Sequence, residues 1–288
     1  MGNTLKLPKG FTEALDEVYK KASVTADLSA NTNFVKQGAN AKEIQYPQLT
    51  VSGLGDYDRN SGYTTGAVDL KWATATCNYD RGTKISVDVM DNEESQIQAF
   101  ALAAAELVRT KVASEGDAFT FATLAGKAGV SLASGEDLTT GAKFLESLLT
   151  AISKMDEEEV PEEQRVLYAN STLLNSVMAL DTTKSREVLG RFAKTVSVPQ
   201  SRFYTAIDLL KGKDGEEAGH YKKNANAKDI NFVIVHEPAV IKYDKHIAND
   251  IILASANPDA DADILKYRKY GLVDVYANKL AGVYVSTK

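Results

Sequence analysis

The strongest constraint in this chain is a change of period. Ile85, Val87 and Val89 alternate with Lys84, Ser86 and Asp88, the two-residue period of a half-buried strand. Directly afterwards Ile97, Phe100, Ala101, Ala104, Leu107, Val108 and Val112 recur at three- and four-residue spacing, one apolar stripe of a helix. Asp91 stands where an N-cap belongs, and Glu94 takes the acid position of a capping box. Phe119 and Ala122 prolong the stripe until Gly126 and Gly129 end it. An unbroken helix of roughly 35 residues is about 50 Å long, against a usual ~11–12 residues, with Gly116 as the candidate kink. A helix of that length predicts an extended molecule built along a spine.

Upstream, two extended runs flank a long tip. Ile44, Tyr46, Leu49 and Val51 form the first, and their parity flips at Pro47, the mark of a bulge or an edge strand. Val68, Leu70 and Trp72 alternate with Asp69, Lys71 and Ala73 in the second. Between them Ser52 to Gly66 exceeds the roughly 2–5 residues of an ordinary hairpin loop. A two-stranded hairpin is marginal alone in water, and nothing adjacent in the sequence supplies a surface for it, so its partner is expected to be another copy. Residues up to about Asn33 read as an arm, with a short amphipathic helix at Phe11, Leu15 and Val18 capped by Thr12. So little apolar content leaves the arm either loose or lying on a neighbour.

Downstream, Phe144, Leu145, Leu148, Leu149 and Ile152 predict a second amphipathic helix capped at Thr139 or Thr140, followed by an acidic connector from Asp156 to Glu163. Val166 to Tyr168 reads as a buried strand, and Ser171 opens a short helix through Met178. Leu210 to Lys228 reads as an exposed loop. Ile230 to Val235 is apolar enough for a strand covered on both faces, continued by Ala239 to Tyr243 after Pro238. Further strands are expected at Ile264–Tyr270, Leu272–Tyr276 and Val283–Val285. Helices and strands come in blocks, which predicts an α+β fold.

Composition narrows the functional class. A chain of 288 residues with 44% hydrophobic and 25% charged residues can bury a real core. The start lacks an apolar signal region, and every apolar run meets charge before ~18 residues, so neither a signal peptide nor a membrane span is expected. The single cysteine, Cys77, excludes an internal disulfide and cysteine-rich metal sites. A net charge of −6 argues against gripping nucleic acid through the whole surface.

Catalytic patterns fail one by one. Asp56-x-Asp58-x-Asn60 opens like a calcium loop, but Ser61 replaces the required glycine and Ala67 the bidentate acid. Gly53-Leu54-Gly55 is not a dinucleotide fingerprint, since Asp58 holds the third glycine position. His220, His236 and His246 lack a nucleophile partner, and Pro238 forbids a helical zinc motif at His236. No cofactor, no metal and no enzymatic activity is expected. What remains suits a protein that builds something from copies of itself.

Several stretches resemble one family closely: Gly53 to Tyr63, Cys77 to Gly82, Met90 to Glu94, Val160 to Glu163 with Val166 to Asn170, Val198 to Phe203, and Ile230 to Ala239. The chain resembles the major capsid proteins of tailed bacteriophages, with the Hong Kong 97-type fold, and within them those of phages infecting Gram-positive bacteria. The resemblance implies an N-terminal arm at 1–34, an extended hairpin (the E-loop) at 35–84, a peripheral domain with the spine helix at 85–137, an axial domain at 138–244, and strands returning to both over 245–288. It implies an icosahedral shell of pentamers and hexamers around double-stranded DNA that is not read by sequence, assembled in the host cytoplasm. A scaffolding protein, a portal and head-completion proteins would be partners, with no membrane. The contact between subunits falls on the hairpin tip: Gly53, Gly55, Asp56, Tyr57, Asp58, Arg59, Tyr63 and Gly66. The family's best-known type carries a long scaffolding segment before the arm; here Phe11 already begins the arm, so either a separate scaffolding protein or an already mature chain is expected. That type also forms Lys–Asn crosslinks; here Lys42, Lys71 and Asn278 are the nearest candidates, with no local motif marking them. The rivals are an encapsulin-like compartment shell, a soluble enzyme, and a non-capsid virion protein such as a tail component.

Overall fold

The computed structural model describes residues 22–30, 36–37, 42–90, 104–180, 182–212 and 219–288. In chain order the strands before the long helix are β1 (Lys36–Gln37), β2 (Glu43–Val51), β3 (Val68–Thr76) and β4 (Tyr79–Asp88). Then come α1 (Ala113–Gly126), β5 (Ser131–Ala133), α2 (Gly141–Glu157), β6 (Arg165–Asn170), α3 (Ser171–Met178), α4 (Thr183–Gly190) and β7 (Lys194–Val198). The chain ends with β8 (Ile207–Leu209), β9 (Tyr221–Lys223), β10 (Ile230–His236), β11 (Val240–Ile252), β12 (Ala262–Val275) and β13 (Val283–Thr287). The fold is α+β, as the block order predicts. Among the described residues no helix is long and apolar enough to cross a membrane.

The centre is a five-stranded sheet in the order β5-β13-β10-β6-β7. Its inner strands are buried on both faces, which is why Ile230–Val235 and Val166–Tyr168 read as unbroken apolar runs. Alternate residues serve opposite layers. Leu167, Phe232, Ile234 and Tyr284 meet Phe144, Leu148 and Ile152 of α2. Val166, Tyr168, Val233, Val235 and Val285 meet Phe121 and Leu124 of α1. Two helices are capped as their sequences allow: Thr140 Oγ1 accepts from the Lys143 N–H of α2, and Asn170 Oδ1 from the Thr172 N–H of α3.

The second sheet is a long antiparallel ribbon, β11-β12-β4. β12 runs without interruption through Gly271, so the two strands expected at 264–270 and 272–276 are one. A Cβ at Gly271 would stand 2.5 Å from the Tyr243 carbonyl oxygen, and only glycine permits that approach. β11 does not continue the central sheet after Pro238, as expected, but leaves it for the ribbon, pairing with β12 from Val240 to Ile252. The expected boundaries at 84 and 244 each fall inside a continuous strand, β4 and β11.

The spine helix departs from α geometry at Leu107–Val112, which is π-helical, while Gly116 lies inside the regular helix α1. The break therefore sits earlier than the glycine suggests. The portion of the stripe before Ala104, with its Asp91 cap, lies outside the described residues, as do the amphipathic arm segment at 11–18 and much of the loop at 213–218. The flank of that loop forms β9, which pairs with β8. The acidic connector is not simply solvated. Asp156 ends α2 against Arg165 Nη1 at 2.7 Å and Arg191 Nη2 at 2.9 Å, and Glu162 also pairs with Arg191. Arg165, almost wholly buried, completes its bonding on the Pro161 and Val160 carbonyls.

Candidate assembly surface

The hairpin β2–β3 is nine residues on each side, about 30 Å long. The register is unbroken from Glu43↔Thr76 to Val51↔Val68, so Pro47 marks no bulge. The edge reading holds there: β1 covers β2 only at Ile44 and Gln45, leaving the outer side of Pro47 without a strand among the described residues. The flip in parity has a different cause. At the base, Ile44, Tyr46 and Ala75 turn one face of the hairpin into the subunit, where they pack with Ile241 and Leu272. Beyond Pro47 that face becomes polar: Gln48, Thr50, Asp69 and Lys71, the last two paired at 2.6 Å. The opposite face becomes apolar instead. Opposed pairs Pro47–Trp72, Leu49–Leu70 and Val51–Val68 lie on that face. Leu49 is 58% exposed, Val51 60%, Val68 69%, Leu70 55% and Trp72 42%. Burying one such half-exposed side chain is worth roughly 1 kcal/mol. A contiguous row of them is an interaction surface rather than scattered exposure. These five residues entered the sequence reading as strand formers, not as the surface itself. The signal that identifies them was the parity flip.

The tip carries the predicted residues into solvent. Ser52 and Ala67 close its neck with N–H···O bonds, the Ala67 N–H also donating to Ser52 Oγ at 2.8 Å. Asp58 and Gly62 exchange backbone bonds of 3.2 and 2.7 Å around a turn in which Gly62 has φ +81°. The Asp58 carboxylate accepts the Asn60 N–H at 2.6 Å; this bond and one from Ser61 hold its carboxyl below the ordinary value. Tyr57 and Tyr63 pack ring to ring at 4.8 Å, both exposed. Gly55 is pressed against Thr64 and Gly66 against Ser52, whereas Gly53 has open space around it. Asp56 and Arg59 project from the same tip, exposed. Of the predicted tip residues, Tyr57 and Tyr63 meet ring to ring and Asp58 closes the turn onto Gly62.

At its base the hairpin is locked to the body. The Asn78 side chain imitates a strand residue, donating to the Val273 carbonyl at 2.8 Å and accepting its N–H at 3.1 Å. Arg81 donates through Nε to Glu115 Oε1 at 2.7 Å and through Nη2 to the His220 carbonyl at 3.2 Å; Tyr79 Oη donates to the same Glu115 oxygen at 3.0 Å. Burial pushes the Glu115 carboxyl up, but His220, its Nδ1 3.6 Å away, with Arg81 and Tyr79, outweighs it and holds the group below its ordinary value. Two residues on, wholly buried Asp117 accepts from Ser23 Oγ, from the Val24 and Thr25 N–H groups, from Thr25 Oγ1 and from Arg202 Nη1. Lys242, also buried, donates to Thr25 O and Oγ1. The end of the arm is therefore pinned where α1, β11 and the Gln200–Arg202 turn meet. Sequence reasoning missed both carboxylates, because Glu115 and Asp117 sit among small residues on a helix whose apolar stripe was assigned elsewhere.

No family model matches the chain, and no curated protein matches it. Solved structures do. The capsid of the cyanophage P-SCSP1u superposes with a TM-score of 0.59 at 15% identity, over 92% of this chain and 88% of that one. The chain has the Hong Kong 97-type capsid fold. A structure from Mycobacterium phage Che8 gives 0.56 at 13% identity over 90% of both chains. A virus-like particle from Pyrococcus furiosus gives 0.56 at 9% identity over 96% and 97%. Among the described residues, the hairpin presents a row of apolar side chains that its own subunit does not bury.

Proposed function

We propose that this chain is the major capsid protein of a tailed phage, a non-enzymatic subunit that assembles through pentamers and hexamers into an icosahedral head around double-stranded DNA. The carrying observation is the row Leu49, Val51, Val68, Leu70 and Trp72, exposed on a hairpin of a capsid-type fold. In this reading residues 1–34 are the arm, 35–84 the hairpin laid over a neighbour, 85–137 the peripheral domain with the spine helix, 138–244 the axial domain around the capsomer centre, and 245–288 the strands returning to both. The contact extends to the tip at Gly53, Gly55, Asp56, Tyr57, Asp58, Arg59, Tyr63 and Gly66. Closed shells need one chain to make the same contacts at slightly different angles, which hairpins and arms absorb. Many weak contacts then hold by multivalency. A scaffolding protein, portal and head-completion proteins are the further partners, the product is a virion assembled in the cytoplasm of a Gram-positive host, and the DNA is enclosed without being read.

The test is the particle formed by the purified chain, with and without coexpressed scaffold, by sedimentation and negative-stain electron microscopy. Round shells, or rings of five or six, are expected. Deleting Gly53–Gly66 should abolish them and leave the subunit folded; normal shells after the deletion would remove the hairpin's role. A chain that stays small in every condition would overturn the proposal. The match to a virus-like particle supports a second reading, a protein compartment of encapsulin type. Particle contents separate the two: nucleic acid for the head, packaged protein for the compartment.

A further inference from the structure

We infer that the central sheet carries a register-specific peptide site: the slot between β5 and β10, which holds β13 as a separable segment and, once vacated, takes an extended peptide of the same pattern. β13 lies between a parallel neighbour, β5, and an antiparallel one, β10. Two strand spacings make the slot about 9–10 Å across. The strand reaches it from another sheet. β12 belongs to the ribbon, and the connection passes through Ala277, Asn278 and Lys279, all exposed. It enters the core at Gly282, where a Cβ would stand 2.6 Å from that of Ala239. A cut in the exposed turn frees the segment and leaves the β10–β6 and β11–β12 pairings whole.

The slot selects what it holds. Strand edges supply main-chain bonds to any extended chain, and pockets for alternate side chains supply the specificity. All five residues of β13 are buried. Val283 and Val285 enter the α1 layer, and Tyr284 the α2 layer, its ring stacked on Phe232 at 6.0 Å and 12°. Glu136 sets the register. Its carboxylate accepts from Ser286 Oγ and from Ser147 Oγ of α2, and its N–H donates to the Thr287 carbonyl at 3.0 Å. Asn231 Nδ2 of β10 donates to the Glu136 carbonyl at 2.9 Å and to Ser286 Oγ at 3.3 Å. A slip of one residue turns the valines toward the wrong layer. A slip of two sets the Tyr284 ring or the Lys288 chain where Ser286 meets Glu136. The ligand class is an extended peptide with aliphatic, aromatic, aliphatic and hydroxyl side chains in that order.

Strand exchange in the full chain tests this, and the test does not depend on the shell reading. A recognition sequence for a specific protease is inserted between Asn278 and Lys279, and the dispersed, folded subunit is cut there. The probe is a fluorescent peptide of residues 279–288. Uptake is read by gel filtration and anisotropy at rising urea below the unfolding midpoint, and folding by circular dichroism. The cut subunit is expected to stay folded and to exchange its segment for the probe, while the uncut subunit takes up none. Unlabelled peptides carrying Tyr284→Ala or Ser286→Val are expected to compete at least about tenfold more weakly than the wild-type peptide. The valine peptide is the sharper of the two. It is more apolar and more strand-prone, so a merely sticky edge would prefer it, whereas this slot would leave Glu136 and Asn231 without their hydroxyl partner. Equal or better competition by that peptide overturns the inference. So does loss of the segment without loss of fold, collapse of the cut subunit that excess peptide does not reverse, equal uptake by the uncut subunit, or no uptake at any urea concentration.

Discussion

Asp117 Oδ2 lies 2.9 Å from Arg202 Nη1, with the carboxylate wholly buried and the Arg202 side chain only 19% exposed. The same carboxylate takes the hydroxyls of Ser23 and Thr25 and two backbone N–H groups. One side chain thus joins the end of the arm, the long helix and the turn after β7.

Removing that carboxylate should loosen all three. Asp117→Ala leaves buried donors without an acceptor and a guanidinium without its counter-charge, a loss of about 3–5 kcal/mol. A fall in thermal midpoint of roughly 10 °C is expected by calorimetry. Limited proteolysis should also begin near residues 22–25 before the body is cut. A melting curve within a degree or two of wild type would show that the network is not holding the arm.

The hairpin row should separate folding from assembly. Leu49→Asp with Leu70→Asp places charge on a face that the subunit does not bury, so the midpoint of the isolated subunit should shift by less than about 0.5 kcal/mol in stability terms. Shell formation should be lost. The polar face is the control: Thr50→Asp should assemble as wild type.

Glu115 gives a pH prediction with a definite sign. Its folded value is lowered from the ordinary 4.5, so the unfolded chain takes up the proton first as pH falls. The contribution to stability is complete above about pH 4.5 and is lost as pH drops through the folded value. The difference in midpoint between wild type and Glu115→Gln should therefore be constant from pH 7 to about 5 and shrink below 4. A difference that grows on acidification would contradict the junction of Arg81, Tyr79 and His220 around this group.

The apolar periodicities made most of this legible. Phe144, Leu148 and Ile152 predicted α2, and the unbroken run Ile230–Val235 announced a strand buried on both faces. The tip was visible as a loop too long and polar for its strands. What failed was non-local. Nothing near Ala239 reveals that β11 leaves the central sheet, because the reason is its pairing with β12, and nothing near Gly271 reveals that β12 passes straight through it. The exposed row on the hairpin was in the sequence as a parity flip at Pro47. It reads as a bulge because a single chain offers no second subunit to explain an apolar face turned outward.

Tyr168 supplies the last prediction, one in which removing a group should not hurt. Its ring packs edge-on against Phe121 at 5.3 Å in the central core. Its hydroxyl is buried with no hydrogen-bond partner among the described residues, and burial, reinforced by nearby carboxylates, pushes its pKa far up, so the phenol stays protonated. A buried hydroxyl without a partner costs about 1–3 kcal/mol of desolvation. Tyr168→Phe keeps the ring and deletes that cost, so the subunit should melt at the same temperature or several degrees higher. Tyr168→Ala, which empties the site, should cost about 3–5 kcal/mol. If the phenylalanine variant instead melts well below wild type, the hydroxyl has a partner in solution, and an ordered water bridging toward Asp27 or Glu237 is the first place to look.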